Sequence, residues 1–495
     1  MARPLRILMV SAEMAPWAKA GGMGDVVGAL PPALQDEGAE VGVVLPLYHA
    51  MRGLRDEAPP IPGGSYEERV GDKRFEVTLR DARHPGGVRV VLVDCPGLLD
   101  RAIYLDPYSH EPYWDELERW AVLSRAPLRA ATALGDEWDV LHAHDAHTAL
   151  ALPTLRFHGQ RTPLGQAAGA LSIHNIGYPG IHALDRVTEL GFPESQKAPM
   201  GPFEYWGDLN LLKSGIWYAD GIHTVSPTYA EEIRTDTDLG YGLTGLLAER
   251  AGDLVGIVNG IDTETWDPAR DPHLPATYTA DELAGKQRCK QALLQELGWD
   301  PADDDRPLAG VVSRAVWQKG IDLVCDVVPA LAEAGARLVI VGTGEPALEQ
   351  RCRDAAADRP DAVAFRAVFD EGLAHRVEAG ADLFLMPSRY EPCGLNQLYS
   401  LRYGTAPVVR RTGGLADTVV DVDEDAARGN GFVFEHATAD GLWWALERAL
   451  GRWRDRDGWI AIQRRGMAGD FSWRRSAGEM LAWYRRLLDK RSVNA

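Results

Sequence analysis

Short apolar runs alternate along the chain with longer stretches whose apolar positions recur every three or four residues. The short runs predict strands at Leu5–Val10, Gly42–Leu45, Val88–Val93, Val140–His142, Ala170–Ile173 and Gly221–Val225 in the first half. In the second half they predict strands at Ala309–Val312, Arg337–Val341, Ala362–Val368, Asp382–Met386 and Pro407–Val409. The longer stretches, such as Leu323–Glu333 and Gly441–Leu450, predict amphipathic helices. This βαβ alternation predicts an α/β fold of parallel sheets with helices on both faces. Three segments read differently. Glu57–Ser65, with three prolines and two glycines, predicts a loop, as does the polar run Asp300–Pro307. Phe471–Leu488 predicts an amphipathic helix near the end of the chain.

The pattern starts twice. Lys19-Ala-Gly-Gly-Met-Gly-Asp25 and Arg411-Thr-Gly-Gly-Leu-Ala-Asp417 share one form, and each lies between a strand and an apolar helical run. Two such units suit two Rossmann-like domains, although two Gly-Gly turns can also coincide by chance. A length of 495 residues exceeds one ordinary core and fits that division. The expected segments are 1–255, 256–469 and a terminal helix at 470–495, with the crossover near Asp253–Asp262.

Composition narrows the function classes. The formal net charge of −20 argues against nonspecific binding to nucleic acid or to an anionic membrane surface, while leaving room for a locally cationic pocket. The five cysteines, Cys95, Cys289, Cys325, Cys352 and Cys393, have no zinc-ligand spacing and predict neither a disulfide framework nor a structural metal. The strand-like start Met1–Met9 shows no signal peptide, and no apolar run reaches membrane-spanning length. The expectation is a cytoplasmic protein.

In open α/β sheets ligands bind beyond the carboxyl ends of the strands, and the unusual residues cluster there. At Lys19-Ala-Gly21-Gly22-Met, a helix opening behind a glycine turn offers N–H groups and a positive dipole end to an anion. A plain tight turn is the alternative. Arg314 and Lys319, five residues apart, form a candidate diphosphate clamp or else two solvated cations. Glu391 and Cys393, flanking Pro392, lie in a shaped loop where the carboxylate accepts sugar hydroxyls or caps the next helix. His142, His144 and His147 at i, i+2 and i+5 invite a metal reading, which the spacing disfavours. His174 ends an apolar strand and either faces the ligand or serves as a hydrogen-bonded structural histidine.

Taken together these strings resemble the bacterial glycogen synthases and plant starch synthases. The resemblance rests on Ser11-Ala-Glu-Met14 with Lys19-Ala-Gly-Gly-Met, His142-Ala-His-Asp, His174-Asn, Lys213–Asp220 and Val225-Ser-Pro-Thr-Tyr229. It continues through Val258-Asn-Gly-Ile-Asp262, Ser313-Arg, Gln318-Lys-Gly, Pro387–Leu395, Arg410–Asp417 and Asp470-Phe-Ser-Trp473. It implies the GT-B fold, two Rossmann-like domains facing a cleft, with the C-terminal helix crossing back to the first domain. It implies retaining transfer of glucose from a nucleotide sugar, ADP-glucose or UDP-glucose, to an α-1,4-glucan such as glycogen, with no metal. Other outcomes consistent with the sequence are a GT-B transferase with another acceptor, a phosphorylase, and a silent glucan-binding protein.

The resemblance also implies roles. Arg314 and Lys319 bind the departing diphosphate, supported by Lys19, Gly21 and Gly22. Glu391, Cys393, Gly394 and Leu395 hold the donor, and His174, Asp25 and Asn259 line the glucose pocket. Phe369 falls where a ring packs on the nucleobase. Glu13, Asp145 and Tyr104 sit on the acceptor side. The chain departs from the family pattern at Ala20, Met23, Ala146 and Asn396, and carries Tyr399 where broader relatives have a second glutamate.

Overall fold

The computed structural model describes residues 3–302 and 305–494. Met1 and Ala2 of the strand-like start, and Asp303 and Asp304 of the expected polar loop, lie outside the described residues.

The chain divides into two compact units. One comprises residues up to Val225, Ala230–Gly260 and the segment from Trp473 onward; the other comprises Ser226–Tyr229 and Ile261–Ser472. The divisions fall at 260/261 and 472/473, a few residues beyond the expected 255/256 and 469/470. Within the second unit these crossings meet, because Ile261 N–H donates to Phe471 O at 2.8 Å. Within the first, Ser476 Oγ donates to Val258 O at 2.7 Å.

The first unit is built on a nine-stranded sheet. Its order is Leu254–Gly256, Gly221–Thr224, Ala168–Ile173, Val140–His144, Arg6–Val10, Glu40–Pro46, Arg89–Asp94, Lys73–Arg83, Pro60–Val70. The first seven pair in parallel and the last two antiparallel. Val140–His144 and Ala168–Ile173 are buried along their whole length, as strands covered on both faces must be. The segment expected as a loop at Glu57–Ser65 instead enters the edge strand Pro60–Val70, whose pairing is irregular between Pro60 and Ser65. An edge strand tolerates Pro and Gly because one side of its ladder needs no partner. A small antiparallel sheet of Ile181–Ala183, Asp208–Asn210 and Glu204–Tyr205 follows.

The second unit holds a six-stranded parallel sheet, ordered Val363–Arg366, Arg337–Val341, Leu308–Val312, Leu383–Met386, Ala406–Arg410, Phe432–Phe434. Helix Ala439–Trp453 shows how the sequence builds its cover. Thr438 caps it by accepting from Gly441 N–H, and Leu442, Ala445, Leu446, Ala449 and Leu450 form one buried stripe. Each buried leucine contributes about 1.5–3 kcal/mol.

The last helix, Trp473–Asn494, belongs to the first unit. Ala477, Met480, Leu481, Tyr484 and Leu487 are buried along one face of it. Among the described residues no helix is long and apolar enough to cross a membrane.

Candidate active site

In each unit the first strand of the sheet is a topological switch point. Arg6–Val10 lies between Glu40–Pro46 and Val140–His144, and Leu308–Val312 lies between Arg337–Val341 and Leu383–Met386. Chain direction diverges on either side of such a strand, leaving a crevice at its carboxyl end. The loops leaving these strands carry Glu13, Lys19 and Gly21 in the first unit and Arg314 and Lys319 in the second, and the neighbouring strands Val140–His144 and Leu383–Met386 lead into Asp145 and Glu391.

In the first unit Glu13 organises the glycine turn. Its buried carboxylate accepts from Ala20 N–H at 2.6 Å, from Gly21 N–H at 2.8 Å and from the Tyr104 hydroxyl at 2.5 Å. Burial, reinforced by Glu13, pushes the Tyr104 hydroxyl well above its ordinary value and keeps it a proton donor. Helix Gly22–Asp36 then opens without a side-chain cap. A Cβ on Gly22 would meet nothing within 4 Å, whereas one on Gly28 would lie 2.8 Å from Ala15 O. Protein packing therefore demands glycine at 28, not at 22. Lys19 Nζ pairs with Asp25 at 2.7 Å, both part-exposed.

The residues of the His-Ala-His-Asp string are tied to their neighbours by hydrogen bonds. Asp145, at a strained φ of 57°, accepts from His174 N–H at 2.6 Å and Asn175 N–H at 3.3 Å. His144 Nδ1 meets His174 Nε2 at 2.9 Å. Adjacent residues thus fix the backbone and the ring of His174, which is 9% exposed. His142 anchors a second chain. His223 Nε2 faces only a carbonyl, Ile257 O at 3.4 Å, so it must donate. Its Nδ1 then accepts from Ser172 Oγ, which accepts from His142 Nε2, leaving His142 Nδ1 to accept from the Tyr484 hydroxyl, each at 2.7 Å. Burial holds His142, His144 and His174 well below the ordinary histidine value, and brings His147 and His223 to about 4. Burial also raises Asp145 to about 7 against its two backbone hydrogen bonds. Asn259 is buried in the same unit, and Ala146 is buried at the start of helix Ala146–Ala149.

In the second unit the two motif loops are stapled together. Lys319 Nζ meets Glu391 Oε2 at 2.5 Å, and Ser388 Oγ donates to the same oxygen at 3.0 Å. Arg389 grips Asp322 by both nitrogens at 2.8 and 2.6 Å, and Arg389 N–H donates to Gln318 O at 2.8 Å. Gly320 is at φ 68°, and a Cβ there would lie 2.2 Å from Pro387 O. The second Gly-Gly turn does similar work, since Cβ atoms on Gly413 and Gly414 would lie 2.0 Å from Glu391 O and 2.1 Å from Cys393 O. The two glycine pairs, alike in sequence, thus differ in physics: Gly22 of the first faces open space, while both glycines of the second support the Glu391 loop.

These contacts bear on several readings that the sequence left open. Glu391 does not cap helix Asn396–Arg402, whose N-cap is Leu395. Lys319 is a paired, largely buried cation, while Arg314 is exposed and has no ion-pair partner among the described residues. Cys393 is buried, and Gly394 takes φ 70° beside Gln397. Asn396 donates to Val312 O at 2.5 Å. Tyr399 stacks on Trp266 at 3.7 Å, and Trp266 stacks in turn on His375 at 3.7 Å. The Phe369 ring is 93% exposed. Ser388, three residues before Glu391, was within reach of the sequence; Ser172, His223 and Tyr484 were not.

Two Rossmann-like units, each with its charged loops at the switch point, define a glycosyltransferase of the GT-B class. Residues 6–249 match the family described as Starch synthase catalytic domain, and residues 300–465 match Glycosyl transferases group 1. A glycogen synthase of Anaeromyxobacter dehalogenans (strain 2CP-C) is 47% identical, covering 98% of this chain and 100% of its own. A glycogen synthase of Dechloromonas aromatica (strain RCB) is 43% identical, covering 99% of each. Among solved structures, the catalytic domain of Starch Synthase IV from Arabidopsis thaliana, bound to ADP and acarbose, aligns with a TM-score of 0.89. It is 32% identical and covers 98% of this chain and 100% of that one. The chain belongs to the family of bacterial glycogen synthases and plant starch synthases.

Proposed function

We propose that the protein is a glycogen synthase that transfers glucose from ADP-glucose to the non-reducing end of an α-1,4-glucan, with retention at the anomeric carbon. The observation that carries this is near-full-length identity of 43–47% to glycogen synthases, with the charged residues of the shared strings on the switch-point loops. The ADP bound by the plant relative favours the adenine nucleotide.

In this reading the bond from glucose C1 to the diphosphate breaks through an oxocarbenium-like transition state. Arg314 and Lys319 stabilise the charge developing on the phosphate, each contributing about 2–4 kcal/mol. The uncapped start of helix Gly22–Asp36, with Lys19 beside it, adds N–H groups and a cation. Glu391, held by Lys319 and Ser388, accepts from glucose hydroxyls, with Cys393, Gly394 and Leu395 shaping the loop. The family resemblance assigns His174, Asp25 and Asn259 of the first unit to the glucose and the Phe369 ring of the second unit to the nucleobase. Glu13, Tyr104 and Asp145 serve the acceptor side, while their oxygens also hold the Gly21 turn and the His174 backbone. The protein cations supply the charge stabilisation without a metal, and the leaving phosphate takes the acceptor proton in a front-face attack. The test is nucleoside diphosphate release in the presence of glycogen, with ADP-glucose and UDP-glucose supplied separately. Faster release from ADP-glucose is expected; equal or faster release from UDP-glucose overturns the donor assignment.

A further inference from the structure

All five cysteines are free, and two that lie 27 positions apart meet in space. Cys325 on helix Ile321–Glu333 and Cys352 on helix Pro346–Asp358 bring their sulfurs to 3.6 Å. Arg351 ties the same helices together beside them, donating to Asp326 at 2.6 Å. Their surroundings differ. Cys352 is wholly buried in the core of its unit, whereas Cys325 is half-buried and lines a surface hollow of about 450 Å³. Both signs of charge line that hollow: Arg351, Arg359, Asp354 and Asp358.

We propose that Cys325 and Cys352 form a reversible thiol–disulfide site whose oxidant is a small zwitterionic peptide disulfide seated in this hollow. The geometry assigns the order of events. The Cys325 thiolate attacks one sulfur of the peptide disulfide, forming a mixed disulfide and releasing one peptide thiolate, which takes up a proton. The Cys352 sulfur, losing its proton, then attacks Cys325 and expels the second peptide thiol. Two protein thiols are oxidised to one disulfide, and one peptide disulfide is reduced to two thiols. Cys325 suits the attacking role because the hydrogen bond from Cys352, and then Arg351, hold its thiol below the ordinary value against burial. Cys352 suits the resolving role because it is buried in the core with its sulfur 3.6 Å from that of Cys325. The bond would tie the helix that begins one residue beyond Gly320, and so beyond the Lys319 loop, to its neighbour.

The test exposes the full folded chain to oxidised glutathione, traps free thiols with N-ethylmaleimide and maps the peptides. The expected result is loss of two thiols per chain, a Cys325–Cys352 cross-linked peptide pair, release of two glutathione molecules, and reversal by dithiothreitol. Cys352→Ser should stop at a glutathione adduct on Cys325, and Cys325→Ser should leave Cys352 unmodified. Uncharged 2-hydroxyethyl disulfide should react at least about 10-fold more slowly, because it lacks charges to match the hollow. A wild-type chain that keeps five thiols, or that accumulates an unresolved adduct at Cys325, overturns the site. Equal rates with the two disulfides overturn the assigned oxidant.

Discussion

The two glycine pairs allow a paired experiment, Gly22→Ala against Gly414→Ala. At Gly414 a Cβ would lie 2.1 Å from Cys393 O and 2.6 Å from that residue's C and Cα, all backbone atoms. No side-chain rotation relieves such contacts, so the loop from Glu391 to Cys393 must shift. Overpacking of this kind costs about 1–3 kcal/mol. Taking about 2 kcal/mol, the melting temperature should fall by roughly 4–8 °C for a domain of this size. At Gly22 a Cβ would meet nothing within 4 Å, and replacing a first-turn glycine by alanine gains at most about 1 kcal/mol. Its effect should therefore be kinetic. If the donor diphosphate rests on this helix start, the methyl group keeps it off the backbone. A loss of about 1.4 kcal/mol would lower kcat/KM tenfold. Differential scanning fluorimetry and steady-state kinetics on both variants separate the two jobs. Gly414→Ala melting within about 1 °C of wild type would refute the packing argument. Unchanged kcat/KM in Gly22→Ala would refute the phosphate assignment.

Acid should destabilise the fold through its buried histidines. A histidine whose folded pKa is lowered adds stability that is present above its unfolded value near 6.5 and lost as pH falls through the folded value. His147 and His223, both at about 4, each withdraw about 2 kcal/mol between pH 7.5 and pH 5, and His142, His144 and His174 act in the same direction. Asp145, raised to about 7, works in the opposite sense, its stabilisation being lost as pH rises from its unfolded value through 7. Urea midpoints should therefore drop from pH 7.5 to pH 5, and a flat profile contradicts the buried neutral cluster. Tyr484→Phe removes the donor to buried His142 Nδ1 and should cost about 1–3 kcal/mol in chemical denaturation. Lys319→Ala should lower kcat by about 10²–10³. Adding Glu391→Gln should restore part of the stability that Lys319→Ala loses, because no unpaired carboxylate then remains buried; a double variant that melts lower than Lys319→Ala would count against the pairing.

Much of the fold was legible because its parallel strands are covered on both faces and read as plain apolar runs, as at Leu308–Val312 and Leu383–Met386. The pair Pro60–Val70 and Lys73–Arg83 was not. Its solvent face carries charges, and Pro and Gly at the sheet edge look like a turn. The charged loops of the site were legible as strings, since Lys319, Glu391 and Asp145 sit in short motifs after strands. The hydrogen-bond partners of His142 were not, because Ser172 lies 30 residues and Tyr484 lies 342 residues from it. Nor did sequence separate the two Gly-Gly turns, whose difference lies in what a Cβ would strike.

The central claim is glucosyl transfer that elongates an α-1,4-glucan. Its most direct test is incubation of the purified protein with ADP-[14C]glucose and glycogen, followed by β-amylase digestion of the labelled polymer. Label incorporated into glycogen and released as maltose is the predicted result. Nucleotide release without label in the polymer, or label that β-amylase cannot free, would contradict it.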